Sequence, residues 1–119
     1  CIVRNTWNLS RFYHHESCGQ CSPCREGTGW LEKVLHKIEL GKGAMSDIDL
    51  LWDIQKSIDG TTICPLGEAA AWPVAAAIRH FRDEFEWHVK NPELSQKQNF
   101  GMHNYAEPRP VVEEAAAAS

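Results

Sequence analysis

The sequence predicts an all-α domain of four helices, with a cysteine-rich loop between the first two. Apolar residues recur at intervals of three and four in successive segments, as on the buried face of an amphipathic helix. We find no alternating stretch long enough to predict a β-sheet. The chain has 119 residues, 43% of them hydrophobic and 24% charged, which is the balance of one small globular domain.

The first two predicted helices flank the cysteines. The first runs from Val3 to Tyr13, and the second from Thr28 to Leu40 with Thr28 as its N-cap. Gly41 and Gly43 provide a stop after the second helix. The apolar stripe of the second helix consists of Trp30, Leu31, Val34, Leu35 and Ile38.

The third and fourth helices follow the glycine stop. The third runs from Asp47 to Ile58, and the sequence from Ser46 to Asp49 resembles a capping box with Asp in place of Glu. The fourth runs from Glu68 to Lys90. Pro73 removes a backbone donor, so we expect a kink or a restart there. The predicted buried face of the fourth helix is Val74, Ile78, Phe81, Phe85 and Val89.

The helical pattern ends near Asn91, which divides the chain in two. Residues 1–90 are the predicted helical cluster-binding domain. Residues 91–119 contain three prolines and an acidic, alanine-rich end, so we predict an extended or disordered tail.

Composition argues against several classes of function. The net charge is −4 and no basic block appears, so we predict no nucleic-acid partner. No apolar run approaches the roughly 20 residues of a membrane span, so any membrane association is expected to come through partner subunits. Because the first residue is Cys1 and not Met, we expect a fragment of a longer chain, with a mature lipoprotein as the alternative.

The cysteines carry the main chemical signal. Cys18, Cys21 and Cys24 follow the spacing C-x2-C-x2-C, and 39 residues then separate Cys24 from Cys64, which precedes a proline. A cubane cluster needs one thiolate for each of four iron atoms, and three closely spaced cysteines plus a distant fourth provide them. The total of five cysteines is odd, which argues against a closed disulfide framework. We therefore predict a [4Fe–4S] cluster on these four thiols.

Two alternatives remain open at this point. A structural zinc site usually takes two separated C-x2-C pairs, so three cysteines in one loop match it less well. A redox-active thiol site is the other alternative, because C-x2-C alone allows it.

Residues between the cysteines fit a cluster loop. Gly19, Gln20 and Arg25 are the predicted cofactor-binding residues beside the thiols. Gly19 lets the backbone approach the inorganic sulfides, Pro23 stiffens the loop, and Arg25 offsets the negative charge of the thiolates.

We assign structural roles to the other reactive side chains. His14 and His15 end the first predicted helix, where imidazole suits the negative end of the helix dipole, although metal ligation or proton transfer is an alternative. Cys1 has no partner at metal spacing and is predicted to be a small buried or terminal thiol. We predict no catalytic residue, since neither a Ser-His-Asp motif nor a phosphate-binding glycine loop is present. The histidines predicted to be at the surface or structural are His36, His80 and His88.

Four segments together resemble the NADH-binding flavoprotein subunit of respiratory complex I, the NADH–quinone oxidoreductase of bacteria and mitochondria. The resemblance runs through about residues 1–90, and the four motifs are specific in combination. They are ESCGQCSPCREG at 16–27, LWDIQKSIDGTTIC at 51–64, GEAAAWPV at 67–74 and IRHFR at 78–82.

The resemblance implies a four-helix bundle, the iron–sulfur domain at the C-terminal end of that flavoprotein. It places the [4Fe–4S] ligands at Cys18, Cys21, Cys24 and Cys64. FMN and NAD(H) belong to an N-terminal domain that this sequence lacks, so the fragment by itself would be a relay and not a catalyst. The cluster would take electrons from reduced FMN and pass them towards quinone.

The resemblance also implies partners and a location. The partners are the other domains of the same flavoprotein and neighbouring iron–sulfur subunits. The location is the cytoplasmic side of the bacterial inner membrane, or the matrix side in mitochondria, where the domain is peripheral through the complex. Flavoprotein subunits of NAD-linked hydrogenases and formate dehydrogenases carry similar motifs and are the alternative assignment.

Overall fold

The computed structural model describes residues 1–97. This part of the chain is helical, with connecting turns and loops, and contains no strand, so the predicted all-α class is confirmed. Its helices are α1 (Ile2–Glu16), α2 (Ser22–Glu39), α3 (Met45–Ile58), α4 (Leu66–Lys90) and the short α5 (Pro92–Lys97).

The four long helices form a bundle around one apolar core. α1 and α3 each pack against both α2 and α4, while α5 packs against α4. Each fully buried Leu, Ile or Phe contributes roughly 1.5–3 kcal/mol through removal of apolar surface from water. The core residues are Val3, Leu31, Leu35, Ile38, Ile48, Leu51, Ile54, Ile58, Ala71, Val74, Ala77, Ile78 and Phe85.

Helix α2 begins six residues earlier than predicted, inside the cysteine motif. Its first turn contains Pro23, which suits this position because the first helical N–H groups have no intrahelical partner. Thr28 is therefore not the N-cap. It lies within the helix, buried, and its hydroxyl donates to the Cys24 carbonyl at 2.6 Å. Cys24 is thus a helical residue, and the loop before α2 is shorter than expected.

Helix α3 begins at Met45. Its N-cap is Ala44, two residues before Ser46, where the predicted capping box begins. Asp47 Oδ2 accepts a hydrogen bond from the Ala44 N–H at 2.7 Å and lies 2.8 Å from Lys37 Nζ. Burial of the Asp47 carboxyl acts to raise its pKa, but the hydrogen bonds from Lys37 and Ala44 outweigh burial and lower the pKa. The carboxylate of Asp47 therefore fixes the start of α3, and Ser46 does not.

Helix α4 departs from helical dihedral angles at Phe81 and not at Pro73, so the predicted restart at Pro73 is wrong. Phe81 has φ −132° and ψ 31°, and is the one non-helical residue within α4. The break changes the burial of Phe81 alone in the predicted stripe, because Val89 beyond it still packs against the core. Phe81 is 37% exposed, contrary to the prediction that it is buried, whereas Phe85 is fully buried.

The segment after Asn91 begins with a helix, in contrast to the predicted extended tail. Ser95 of α5 is buried, and its hydroxyl donates to the Glu39 carbonyl at the end of α2 at 2.6 Å. Gly41 allows this approach, because a Cβ at its φ of +73° would lie 2.5 Å from the Pro92 oxygen. The remainder of the predicted tail, residues 98–119, lies outside the described residues.

Candidate metal centre

Three of the predicted ligands lie around the start of α2. Cys18 lies exposed in the loop after α1, Cys21 is the half-buried N-cap of α2, and Cys24 is buried in the first turn. Since α2 begins at Ser22, the helix backbone fixes the direction of the last thiol relative to the core.

Cys64 lies in a second loop, between α3 and α4, and is exposed. The neighbouring Ile63 N–H points at Cys21 Sγ with an N–S distance of 3.5 Å. This is a hydrogen bond between residues 42 positions apart, and it joins the two cysteine loops. An N–H donated to sulfur is the kind of interaction that stabilises thiolates and cluster sulfurs.

The loop that carries Cys64 is held by polar contacts and a close approach. Thr62 Oγ1 donates to the Cys64 carbonyl at 3.0 Å. Gly67, in the first turn of α4, passes so near that a Cβ there would lie 2.4 Å from Thr62 Oγ1. Trp72 Nε1 donates to Asp59 Oδ1 at 3.0 Å, which ties α4 to the end of α3. The fourth cysteine thus lies in a loop fixed at both ends.

The first cysteine loop is held by Arg25 and Ser17. Gly19 has φ +80°, a left-handed conformation that glycine adopts without strain. Arg25 Nη1 donates to the Gly19 carbonyl at 3.0 Å, so the guanidinium closes the loop onto α2. Ser17 Oγ lies 3.3 Å from Cys24 Sγ and accepts from the Gly19 N–H at 3.4 Å. Arg25 and Gly19 thus contact each other within the cysteine motif, and their role toward a bound cofactor stays a prediction.

Other contacts concern the candidate residues Gln20, Arg25 and His14. Gln20 is exposed. Arg25 also forms an ion pair with Glu26, with 3.2 Å between Nε and Oε1, so its charge is shared. His14 Nδ1 lies 2.6 Å from Glu32 Oε2 and links α1 to α2. That contact gives His14 a structural partner.

The donor set fits a cluster on four thiols. All five cysteines are free. Cys18, Cys21 and Cys64 lie in or at the ends of the two joined loops, and Cys24 lies in the first turn of α2. Within residues 1–97, no three His, Cys, Asp or Glu side chains converge as they would around a single metal ion. A cubane offers four separate iron atoms, so its ligands do not have to converge on one point.

The fold and the donor set define a helical domain with an iron–sulfur type cysteine site. The family described as the NADH-ubiquinone oxidoreductase-F iron-sulfur binding region matches residues 4–88. This chain belongs to that family.

Relatives agree on the family and also show that the chain is one part of it. Over 85 residues the chain is 53% identical to an NADH-quinone oxidoreductase component of Rhizobium meliloti, covering 71% of the chain and 20% of that protein. Over 91 residues it is 53% identical to the mitochondrial NADH dehydrogenase [ubiquinone] flavoprotein 1 of Dictyostelium discoideum, covering 76% of the chain and 19% of that protein. The chain therefore spans about a fifth of the length of these relatives.

One solved structure extends the likeness to a different enzyme. The crystal structure of an NAD+-reducing [NiFe]-hydrogenase in the H2-reduced state matches with a TM-score of 0.70 at 29% identity. The match covers 98% of this chain and 18% of that chain.

The helices were also compared with the length and hydropathy that a membrane span requires. Among residues 1–97, no helix is both long enough and apolar enough to cross a membrane.

Sequence reasoning missed two features around these residues. The bond from Ile63 to Cys21 is invisible in the sequence, because it depends on how α3 returns the chain to the start of α2. The pairing of Cys1 with His88, at 3.1 Å between Sγ and Nε2, was also missed because 87 positions separate them. The odd cysteine count was the only signal that pointed to Cys1.

Proposed function

We propose that this chain holds one [4Fe–4S] cluster on Cys18, Cys21, Cys24 and Cys64 and relays electrons within an NADH–quinone oxidoreductase. The observation that carries the proposal is the hydrogen bond from Ile63 to Cys21, because it joins the loop of the fourth cysteine to one of the other three. Membership of the iron–sulfur binding family supports it independently.

Several residues of the chain would hold and orient the cluster. Cys24 projects from the first turn of α2, while Cys18 and Cys64 lie exposed in loops that polar contacts hold in place. The Ile63 N–H donates to a thiol sulfur, and Arg25 holds Gly19 in place. An N–H donor to a ligand sulfur, such as that of Ile63, would raise the reduction potential of a bound cluster. When bound, the cluster supplies one-electron transfer.

The flavin and the nicotinamide belong to the rest of the protein in this proposal. The relatives are about five times longer than the matched region, so FMN and NAD(H) would bind to a part of the flavoprotein that this chain lacks. The partners would be that part of the flavoprotein and adjacent iron–sulfur subunits. The location would be peripheral, on the cytoplasmic side of the bacterial inner membrane or the matrix side in mitochondria.

A second candidate is the equivalent domain of an NAD-linked hydrogenase. The structural match to the hydrogenase favours it, with a TM-score of 0.70. The sequence identity is 29% to that protein but 53% to the Rhizobium meliloti oxidoreductase component. We therefore prefer the respiratory assignment.

The test is the metal content of the full chain and of one ligand variant. After anaerobic reconstitution we expect about four iron and four sulfide per chain. Cys64→Ala removes the thiolate of one iron corner, so its iron content should fall to about three or fewer. Cys1→Ser is the matched control, because it removes a thiol that lies outside the two joined loops, and it should retain the full content.

Zinc is measured in the same samples. One zinc and no sulfide in the parent chain would overturn the relay function and leave a structural zinc domain. Full iron and sulfide in Cys64→Ala would show that the fourth ligand is assigned wrongly.

A further inference from the structure

A second cysteine site lies apart from the two cluster loops. Cys1 is half-buried at the start of α1, and His88 lies near the end of α4 with 3% of its surface exposed. Cys1 Sγ and His88 Nε2 are 3.1 Å apart. A thiol and an imidazole at this distance form the pair found in activated cysteines.

The orientation of the His88 ring is fixed by Ser95. The Ser95 hydroxyl donates its only proton to the Glu39 carbonyl at 2.6 Å. Its oxygen, 2.7 Å from His88 Nδ1, must therefore accept from that nitrogen. In the neutral ring Nε2 then carries no proton and presents its lone pair to the thiol of Cys1.

The side chain of Glu84 also bears on the charge of the Cys1 sulfur. Glu84 opposes the thiolate, because its Oε2 accepts from the adjacent Ile2 N–H at 3.1 Å. The imidazole is the group in direct contact with the sulfur.

We propose that Cys1 is a nucleophilic thiol, separate from the cluster ligands, that hydrogen peroxide and small alkylating agents modify with His88 as its base. His88 Nε2 takes the thiol proton, and the sulfur attacks one peroxide oxygen. An S–O bond forms and the O–O bond breaks. The leaving hydroxide takes the proton from His88 and becomes water. The sulfur is oxidised to a sulfenic acid and the peroxide is reduced.

The first test compares the folded chain with the same chain in urea. Iodoacetamide is the probe, and peptide mass spectrometry follows Cys1 separately from the other four cysteines. An unactivated, half-buried thiol reacts more slowly when folded than when unfolded. We expect Cys1 to react about 10-fold faster when folded at pH 7, because the thiolate fraction rises. A slower reaction in the folded chain would overturn the proposal.

Two variants test the base. His88→Gln keeps a polar side chain but cannot take the proton, so the Cys1 rate should fall to that of the unfolded chain or below. Ser95→Ala keeps the imidazole but removes the acceptor for Nδ1, so we expect a smaller fall. Circular dichroism checks that each variant remains helical. If a variant unfolds, the comparison of folded and unfolded parent chain still decides, and an unchanged rate in folded His88→Gln would exclude His88 as the base.

Discussion

Gly67 controls how closely α4 approaches the loop that carries Cys64. A Cβ at this position would lie 2.4 Å from Thr62 Oγ1 and 2.6 Å from its Cγ2. Rotation of the Thr62 side chain cannot relieve both contacts, because they involve both branches at its Cβ. The absence of a side chain at residue 67 is therefore part of the cysteine site.

Gly67→Ala is expected to destabilise the chain by about 1–3 kcal/mol, the usual cost of overpacking. The displaced Thr62 would also move Cys64, so cluster loading should fall. The measurements are urea unfolding and iron content. Thr62→Ala removes both offending atoms, so the double variant should lose less stability than the two single variants summed. Strict additivity would contradict this account.

At the scale of single residues, the ligand set follows from spacing but its assembly does not. The C-x2-C-x2-C motif and Cys64 identify four candidate thiols, and in the structure a hydrogen bond from Ile63 joins the Cys64 loop to Cys21. Spacing along the chain does not reveal the donor from Ile63 or the partner of Cys1, since both contacts join residues from distant helices or loops.

At the scale of the helix, Asp47 shows how one carboxylate sets a boundary. It accepts from the Ala44 N–H and pairs with Lys37 of α2, so it both starts α3 and joins it to its neighbour. The capping contribution comes from satisfying a backbone N–H that has no intrahelical acceptor.

Asp47→Asn is expected to destabilise the chain by about 1–2 kcal/mol at pH 7. The pKa of Asp47 is lower in the folded state than in the unfolded chain. Its contribution is therefore present above the unfolded pKa of about 3.9 and is lost as the pH falls through the lower folded value.

Urea unfolding at pH 7 and in steps below about pH 4 measures this change. Asp53→Asn is the matched control, because Asp53 lies exposed on the same helix, and it should change stability by less than about 0.5 kcal/mol. A difference between Asp47→Asn and the parent chain that stays constant on acidification would contradict the role of the charge.

Helix existence was predictable and helix boundaries were less so. The stripes of α2, α3 and α4 have the helical period, and most of their residues lie in the core as predicted. The start of α2 was misplaced because Pro23 and the cysteines resemble a loop, whereas proline is well suited to a first turn. The break at Phe81 has no proline or glycine to mark it.

At the scale of the whole molecule, the core and the cysteine site are separate. None of the four proposed ligands belongs to the main hydrophobic cluster, which draws residues from α1, α2, α3 and α4, although Cys24 is buried. Burial of these side chains supplies most of the folding free energy. The bundle therefore does not depend on the cluster for its core.

Removal of the cluster is expected to leave the bundle folded. Cys64→Ala without metal should retain far-ultraviolet circular dichroism close to that of the reconstituted parent chain and unfold in a single transition in urea. Parent chain freed of iron by a chelator serves as the comparison. A loss of helical signal in both samples would show that the cluster is required for folding, as in small metal-dependent domains.

The sequence by itself determined the helical class, the apolar stripes and the four thiols, because periodicity and spacing are local properties of the chain. Only the tertiary structure decided which thiols meet which partners. Three contacts show this: the hydrogen bond from Ile63 to Cys21, the hydrogen bond from Ser95 to Glu39 and the pairing of Cys1 with His88. They join residues that are 42, 56 and 87 positions apart. Such contacts follow from how the helices pack, and packing depends on the shapes of all the buried side chains together.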